Sequence, residues 1–233
     1  RQLYWVSNDA IGYTLLIKLV SSIQVGKFRL VVLLYAVMIL YDCVFVLASD
    51  VMVTVATSIE NPMKFIFPRD LLQAAKTSEK QAFNMIGFGD IFIPAILASL
   101  ALRMDFIRAF AGVKREMAAA NCIQKHFQPQ QVSLSELKER TAVRFKQEQP
   151  LYLGVLFGFA LGLVTTVSFV LWFQKAMPAL LFILPMELIG VAVAAYWKLG
   201  RAGLAILASF DEETAIKSGQ STVLTGPSKL PLY

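Results

Sequence analysis

The sequence predicts an all-α protein, built as a polytopic bundle of transmembrane helices. Of its 233 residues, 57% are hydrophobic and only 16% are charged, and the mean hydropathy is +0.60. These values are too apolar for an ordinary soluble domain. Several segments are also apolar all the way round at helical length, whereas a soluble domain needs amphipathic elements. Helices in a bilayer fit the pattern.

Five apolar segments, bounded by charges or prolines, are the predicted membrane spans. All but the first are long enough to cross roughly 30 Å of hydrocarbon at about 1.5 Å per residue. The first is shorter and contains Lys18. The predicted spans are residues 10–25, 28–56, 82–102, 151–173 and 178–197.

The distribution of Lys and Arg predicts the orientation of the chain. With Lys18 left aside, fifteen of the 22 lie on the side of the long 103–150 loop and six lie on the other side. The positive-inside rule therefore places this loop and a polar tail, residues 211–233, in the cytosol. Much of the net charge of +6 comes from basic residues that set the membrane topology or attract the chain to the lipid bilayer. No nucleic-acid-binding motif accompanies these residues.

The 103–150 loop is the only sizeable polar piece of the chain. Residues 106–127 have amphipathic helical spacing, and Ser133 and Glu136 have the spacing of a capping box before a charged helix. The loop is a solvated or interfacial linker, or a docking surface for a partner. His126 has no Cys or carboxylate at ligand spacing, and Cys43 and Cys122 form no disulfide framework. We therefore predict no metal and no cofactor.

Two acids in neighbouring spans are predicted to lie at the same depth. Asp42 is fourteen residues past Phe28, or roughly 21 Å from the cytosolic edge. Asp90 is twelve residues before Leu102, or roughly 18 Å from that edge. The two helices are consecutive and antiparallel. Because charged groups inside a membrane are costly and usually face protein or water, the matched depth indicates a functional site.

A pair of carboxyl groups at one depth suits the chemistry of an aspartic protease. Like charges a few ångströms apart in a low dielectric cannot both ionise, so the pair shares one proton. One carboxylate takes a proton from the attacking water, and its protonated partner donates to the peptide carbonyl. The competing hypothesis is a proton-coupled transporter or channel, in which the same acids relay protons.

Two short motifs are expected beside these acids. Gly87 and Gly89 flank Phe88 and leave room for another backbone, either a packed helix or a substrate strand. A second motif opens the last span, where a proline either starts the helix or leaves a non-helical strip for an extended substrate. This second motif consists of Pro178, Ala179 and Leu180.

Together, these motifs resemble those of the intramembrane aspartyl proteases, which include presenilins and signal peptide peptidases. The order and spacing are those of the YD, GxGD and PAL motifs. The segments VMVTVA and KFIFPRDLL are more similar to signal peptide peptidases than to presenilins. The matching motif residues are Tyr41 and Asp42, then Gly87, Phe88, Gly89 and Asp90, then Pro178, Ala179 and Leu180.

The resemblance implies a presenilin-like fold, with the five spans as the last five of nine. Residues 1–210 would form an intramembrane protease domain with Asp42 and Asp90 as catalytic acids. Tyr41, Gly87, Phe88 and Gly89 would support the active site, while Pro178, Ala179 and Leu180 would bind substrate. The implied substrates are transmembrane segments of type II orientation, such as residual signal peptides. The implied location is the endoplasmic reticulum membrane.

Three features stand apart from this pattern. Asp50 occupies a position where the family usually has asparagine, and we expect it to be interfacial. Glu187 is an acid that the family pattern does not include, and we expect it to bond to a neighbouring helix. Glycines at every fourth position, Gly154, Gly158 and Gly162, predict tight helix contact within the monomer or in a homo-oligomer.

Overall fold

The computed structural model describes residues 4–23, 25–44, 64–68, 83–124, 134–173 and 178–216. Within these ranges, the chain forms six helices of at least 14 residues and one two-stranded antiparallel sheet. Predictions for Asp50, His126 and residues 217–233 lie outside the described residues. In chain order, the elements are α1 (Tyr4–Ser22), α2 (Phe28–Asp42), β1 (Lys64–Pro68), β2 (Phe83–Gly87), α3 (Phe88–Gln124), α4 (Leu134–Gln147), α5 (Pro150–Phe173) and α6 (Leu180–Ser209).

Helices α1 and α2 cover the first two predicted spans with shifted bounds. Helix α1 begins six residues before the predicted start because the polar residues 7–9 continue the helix instead of preceding it. It ends at Ser22, just before the chain turns at Gly26. Helix α2 begins at Phe28 as predicted and is described as far as Asp42. The outer part of its predicted span, residues 45–56, lies outside the described ranges.

The prediction for the third span is wrong at five residues, 83–87. The helix was expected from residue 82, but Phe83–Gly87 is strand β2, and α3 begins only at Phe88. Antiparallel pairing with β1, from Lys64 opposite Gly87 to Pro68 opposite Phe83, satisfies backbone groups that a helix would otherwise satisfy. Tertiary pairing therefore overrides the apolar, helix-like composition of this segment.

Helix α3 continues far beyond the predicted membrane edge. It spans 37 residues, Phe88–Gln124, so the predicted amphipathic segment is an extension of the span as far as residue 124, and residues 125–127 lie outside the described ranges. Helix α4 then begins at Leu134, which agrees with the start predicted from Glu136, and packs beside the extension through the edge-to-face pair of Phe106 and Phe145. The 103–150 loop is thus largely a pair of helices.

Helices α5 and α6 pack tightly through the glycine face of α5. A Cβ atom at Gly154 would come within 2.6 Å of the Ala194 Cβ, and one at Gly162 would come within 2.7 Å of the Ile183 Cα. At Gly158, the Glu187 Cα would be 2.8 Å away. The prediction of tight packing within the monomer is confirmed.

The last helix extends past its predicted end at residue 197 and folds back at Gly200. Gly200 has φ 64° and ψ −153°, a region in which side chains other than glycine are strained. The chain then returns to the start of α2, where the Phe28 N–H donates to the Phe210 carbonyl and Lys27 pairs with Asp211 at 3.0 Å. The start of the predicted polar tail, residues 211–216, is therefore docked on the bundle.

The hydrophobic core lies among α2, α3, α5 and α6. Val31, Leu100, Val155 and Leu184, one from each helix, are fully buried. In contrast, the opposite faces of these helices expose large apolar side chains, with Trp197 86% exposed. Within the described part of the chain, two helical stretches are long and apolar enough to cross a membrane, the one ending at Phe173 and α6.

Candidate active site

Asp42 lies at the end of the described part of α2 and points into the bundle. Its side chain is 7% exposed, and its carboxyl group accepts a hydrogen bond from the backbone N–H of Leu180. Leu180 is the first residue of α6, where the N–H groups of a helix lack partners within the helix. Asp42 Oδ2 is buried and has no hydrogen-bond partner in the described structure.

Asp90 lies in the first turn of α3. The helix begins at Phe88, and the Asp90 carboxyl group accepts a hydrogen bond from the backbone N–H of Gly87 just before it. An acid at the third helical position that bonds back to the residue before the helix is half of a capping box. The sequence therefore fixes the position of this acid through the start of the helix.

The two carboxyl groups lie close enough to interact electrostatically. Asp90 is half-buried, and its main charged neighbour is Asp42. The structure therefore brings together the two acids that the sequence predicted at matched depth. No three His, Cys, Asp or Glu side chains in the described ranges could hold a metal ion together.

The Pro178, Ala179 and Leu180 motif lies directly against Asp42, but little of it is non-helical. Ala179 already has helical dihedral angles of −65° and −38°, and its carbonyl accepts hydrogen bonds from the N–H groups of Phe182 and Ile183. Leu180 and Pro178 are buried. The predicted non-helical strip is thus reduced to Pro178 among these three residues, and 174–177 lie outside the described ranges.

The motif residues next to Asp42 and Asp90 in the sequence lie at different distances from the two carboxyl groups. A Cβ atom at Gly87 would lie 3.3 Å from Asp90 Oδ2, while a Cβ at Gly89 would meet nothing within 4 Å. The ring of Phe88 stacks on Phe65 of β1, with 6.4 Å between the ring centroids, and thus joins the hairpin to α3. Tyr41 follows the outer face of α2, with its side chain 46% exposed.

A buried hydrogen bond near the acids was only partly predicted from the sequence. The Tyr35 hydroxyl donates to Glu187 Oε2 at 2.6 Å, and both side chains are almost fully buried. The expected bond between Glu187 and a neighbouring helix is confirmed, but Tyr35 was not predicted as the donor. Its position seven residues before Asp42, on the same face of α2, is the signal that could have identified it.

A third buried acid lies beyond the predicted membrane edge of α3. The Asp105 carboxyl group accepts a hydrogen bond at 3.0 Å from the backbone N–H of Tyr152, at the start of α5. Burial raises the pKa of Asp105 to about 6, although the N–H of Tyr152 and the charge of Arg108 oppose that rise. Asp105 therefore ties helix α3, which carries Asp90, to the first turn of α5.

Comparison with known sequences identifies the family. The family model described as signal peptide peptidase matches residues 1–213. The chain belongs to the signal peptide peptidase family. It is therefore a polytopic membrane protein, which agrees with the apolar outer faces of its helices. No solved structure matches the chain significantly.

The curated relatives carry names of the same family. The signal peptide peptidase of Mus musculus is 30% identical over 182 residues, which cover 78% of this chain and 38% of the relative. The signal peptide peptidase of Homo sapiens is 29% identical with the same coverage. A probable intramembrane protease of Schizosaccharomyces pombe is 24% identical over 211 residues, or 91% of this chain and 58% of the relative.

Two consequences follow from these relatives. The chain spans between about two fifths and three fifths of their length. They are named as peptidases or intramembrane proteases, so nothing in them supports the competing hypothesis of a transporter or channel.

Proposed function

We propose that the chain carries the catalytic part of an aspartic intramembrane endopeptidase, with Asp42 and Asp90 as the catalytic pair. The observation that carries this proposal is that the two carboxyl groups lie within electrostatic range of each other, while Asp42 accepts a hydrogen bond from the N–H of Leu180. Family membership supports a protease, and two neighbouring carboxyl groups support the aspartic type. Residues 1–210 form the protease domain, and no cofactor takes part.

The pair acts on a water molecule held between the carboxyl groups. Because both groups cannot ionise together in an apolar site, they share one proton. The ionised carboxylate removes a proton from water as the water oxygen attacks the peptide carbonyl carbon, and the protonated carboxyl donates to the carbonyl oxygen. In the collapse of the resulting diol, the ionised carboxylate takes a proton from one hydroxyl, the C–N bond breaks, and the protonated carboxyl donates its proton to the leaving amine, which restores the pair.

The substrate is a transmembrane segment that must be locally extended, since a helix hides its peptide bonds. Strand β2 runs directly into the turn that holds Asp90, and the described sheet has only two strands. An extended peptide can add to a free edge of such a sheet through main-chain hydrogen bonds. We infer that Gly89 leaves space for this peptide, and that Pro178, Ala179 and Leu180 line the opposite side.

Orientation and location follow from the charge distribution and the family. The excess of Lys and Arg on the 103–150 side supports a cytosolic position for that segment and for the C-terminus. This orientation suits substrates of type II topology, residual signal peptides among them, in the endoplasmic reticulum membrane. A homo-oligomer would use an outer apolar face, because the glycine face of α5 is occupied by α6.

The test is cleavage of a type II transmembrane peptide by protein reconstituted in liposomes. We expect D42A and D90A to lose cleavage, while D211N, which removes an acid outside the membrane, retains it. A hydroxyl-containing mimic of the tetrahedral intermediate should bind the wild type and neither alanine variant. Wild-type cleavage by D42A or D90A would show that the pair is not catalytic.

A further inference from the structure

Glu187 is an ionisable residue buried within the apolar helix α6. It is 1% exposed, and the residues before and after it, from Leu180 to Trp197, include no other charged side chain. A carboxyl group in such surroundings costs folding free energy unless it is bonded. The proposed reaction uses Asp42 and Asp90 and gives Glu187 no chemical step. We therefore expect Glu187 to have a different role.

The partner of Glu187 lies on the helix that carries Asp42. The Tyr35 hydroxyl donates to Glu187 Oε2 at 2.6 Å, and Tyr35 is completely buried in the core shared by α2, α3 and α6. This contact is therefore a short, buried link between the catalytic helix α2 and helix α6.

The link lies in register with the contact at the active site. Tyr35 precedes Asp42 by seven residues, and Glu187 follows Leu180 by seven residues. Seven residues are two helical turns, or about 10 Å, and return to nearly the same face. The Asp42 to Leu180 and Tyr35 to Glu187 contacts are thus two fixed points on one seam between antiparallel helices.

A third helix holds Glu187 from the other side. A Cβ atom at Gly158 of α5 would come within 2.8 Å of the Glu187 Cα, so the backbones of α5 and α6 are in close contact at this level. Helix α6 is therefore held closely against α5 at the level of Glu187. In contrast, rotation or sliding along the seam is opposed chiefly by directional contacts, and the Tyr35 hydrogen bond is one of them.

We propose that Tyr35 and Glu187 are positioning residues, whose hydrogen bond sets the register of α2 against α6 so that Asp42 faces the Leu180 N–H. The inference rests on the proposed function of the two catalytic acids. A shift of about 1 Å in a catalytic group can slow a reaction by up to about a hundredfold. A seam fixed at two points, two turns apart, resists both sliding and rotation.

The test compares four variants in the reconstituted cleavage assay, with thermal unfolding measured on the same preparations. We expect Y35F and E187L each to lower kcat about tenfold or more with little change in KM, since positioning acts on the transition state. E187Q keeps an oxygen that accepts from Tyr35, so it should retain kcat within about threefold. V155A, which removes two methyl groups from the buried core on α5 and leaves the Tyr35 to Glu187 hydrogen bond intact, should lower stability without lowering kcat at permissive temperature.

The double variant Y35F/E187L separates positioning from mere stability. Replacement of both partners by apolar groups leaves no buried polar group unpaired, so its unfolding temperature should recover toward that of the wild type. We expect kcat to remain low, because the directional contact is still missing.

A wild-type kcat in the double variant would overturn the inference, and so would an E187Q variant as slow as E187L. If D42A and D90A are inactive while Y35F and E187L cleave at the wild-type rate, only the inference fails. Cleavage by D42A or D90A would instead refute the proposed function.

Discussion

The backbone N–H of Leu180, at the start of α6, donates a hydrogen bond to the carboxyl group of Asp42. Asp90 has a related position, because it lies in the first turn of α3 and accepts from the N–H of Gly87. Two helix N-termini therefore converge on the two acids. Because the N-terminus of a helix carries a partial positive charge, this arrangement favours one negative charge in the proposed pair.

Substitution of Gly89 by Ala should slow cleavage without harming the fold. An added Cβ would meet nothing within 4 Å in the structure, and Ala favours a helix over Gly by up to about 1 kcal/mol. We therefore expect an unfolding temperature equal to or above that of the wild type. The ratio kcat/KM should fall, because the methyl group occupies the space proposed for substrate.

Substitution of Gly87 by Ala is the matched comparison. Its Cβ would lie 3.3 Å from Asp90 Oδ2, so the acid itself must shift. G87A should therefore also weaken binding of a small transition-state mimic, whereas G89A should affect the longer peptide substrate more strongly. Equal kcat/KM for G89A and the wild type would contradict the assigned substrate space.

Substitution of Gly158 by Leu should destabilise the α5 and α6 pair. The new side chain would collide with backbone atoms of Met186 and Glu187, which cannot move as a flexible side chain can. Overpacking of this kind costs about 1–3 kcal/mol or more. The measurement is thermal unfolding in detergent, with A160L as a control because Ala160 is exposed on the same helix. Equal stability of G158L and A160L would contradict the packing described.

The pH dependence of stability should reveal Asp105. Burial raises the pKa of its carboxyl from 3.8 to about 6, so the folded state binds this proton more tightly than the unfolded chain. The corresponding stabilisation is full below about pH 4 and is lost as the pH rises through about 6. The unfolding temperature of the wild type, measured relative to that of D105N, should therefore decrease as the pH rises from about 4 to about 6.

Asp211 provides a control of opposite sign. Its hydrogen bond with Lys27 lowers the pKa of the Asp211 carboxyl, so its stabilisation is present at neutral pH and is lost as the pH falls through the lowered value. The unfolding temperature of D211N should therefore differ from that of the wild type mainly at pH values above the lowered pKa of Asp211. Parallel pH profiles for the wild type and D105N would show that Asp105 does not titrate as described.

The proposed orientation can be tested by thiol labelling. A cysteine in place of Glu139, which is exposed on α4, should react with a membrane-impermeant maleimide from the cytosolic side of sealed vesicles. The background should lack Cys43 and Cys122, and a cysteine at position 175 should react only from the opposite side. Labelling of position 139 from the lumenal side would reverse the proposed topology.

The helical bundle was largely predictable because hydrophobicity alone determines where a membrane helix can lie. The starts of α2 and α5 agree with prediction to within a residue, since a charge or a proline marks each of them. The glycine face of α5 was also predictable, because glycines at every fourth position lie on one side of a helix and leave that side without side chains. What it packs against, Gly190 and its neighbours on α6, required the structure.

Strand β2 and the end of α6 were not predictable from local sequence. The mostly apolar residues Phe83–Gly87 fit a helix or a strand equally well, and only their pairing with β1, about twenty residues earlier, selects the strand. The fold-back at Gly200 depends on docking of the returning chain beside Lys27. Both features arise from contacts between distant segments.

Strand β2 and helix α3 meet without any linker, since β2 ends at Gly87 and α3 begins at Phe88. A slip of one residue in strand pairing would invert the faces of β2 and, if transmitted into the helix, would turn Asp90 by about 100° around its axis. The register between β1 and β2 thus determines the direction in which the Asp90 side chain points from α3. A peptide that extended or strained this sheet would therefore also rotate the Asp90 carboxyl group about the axis of α3.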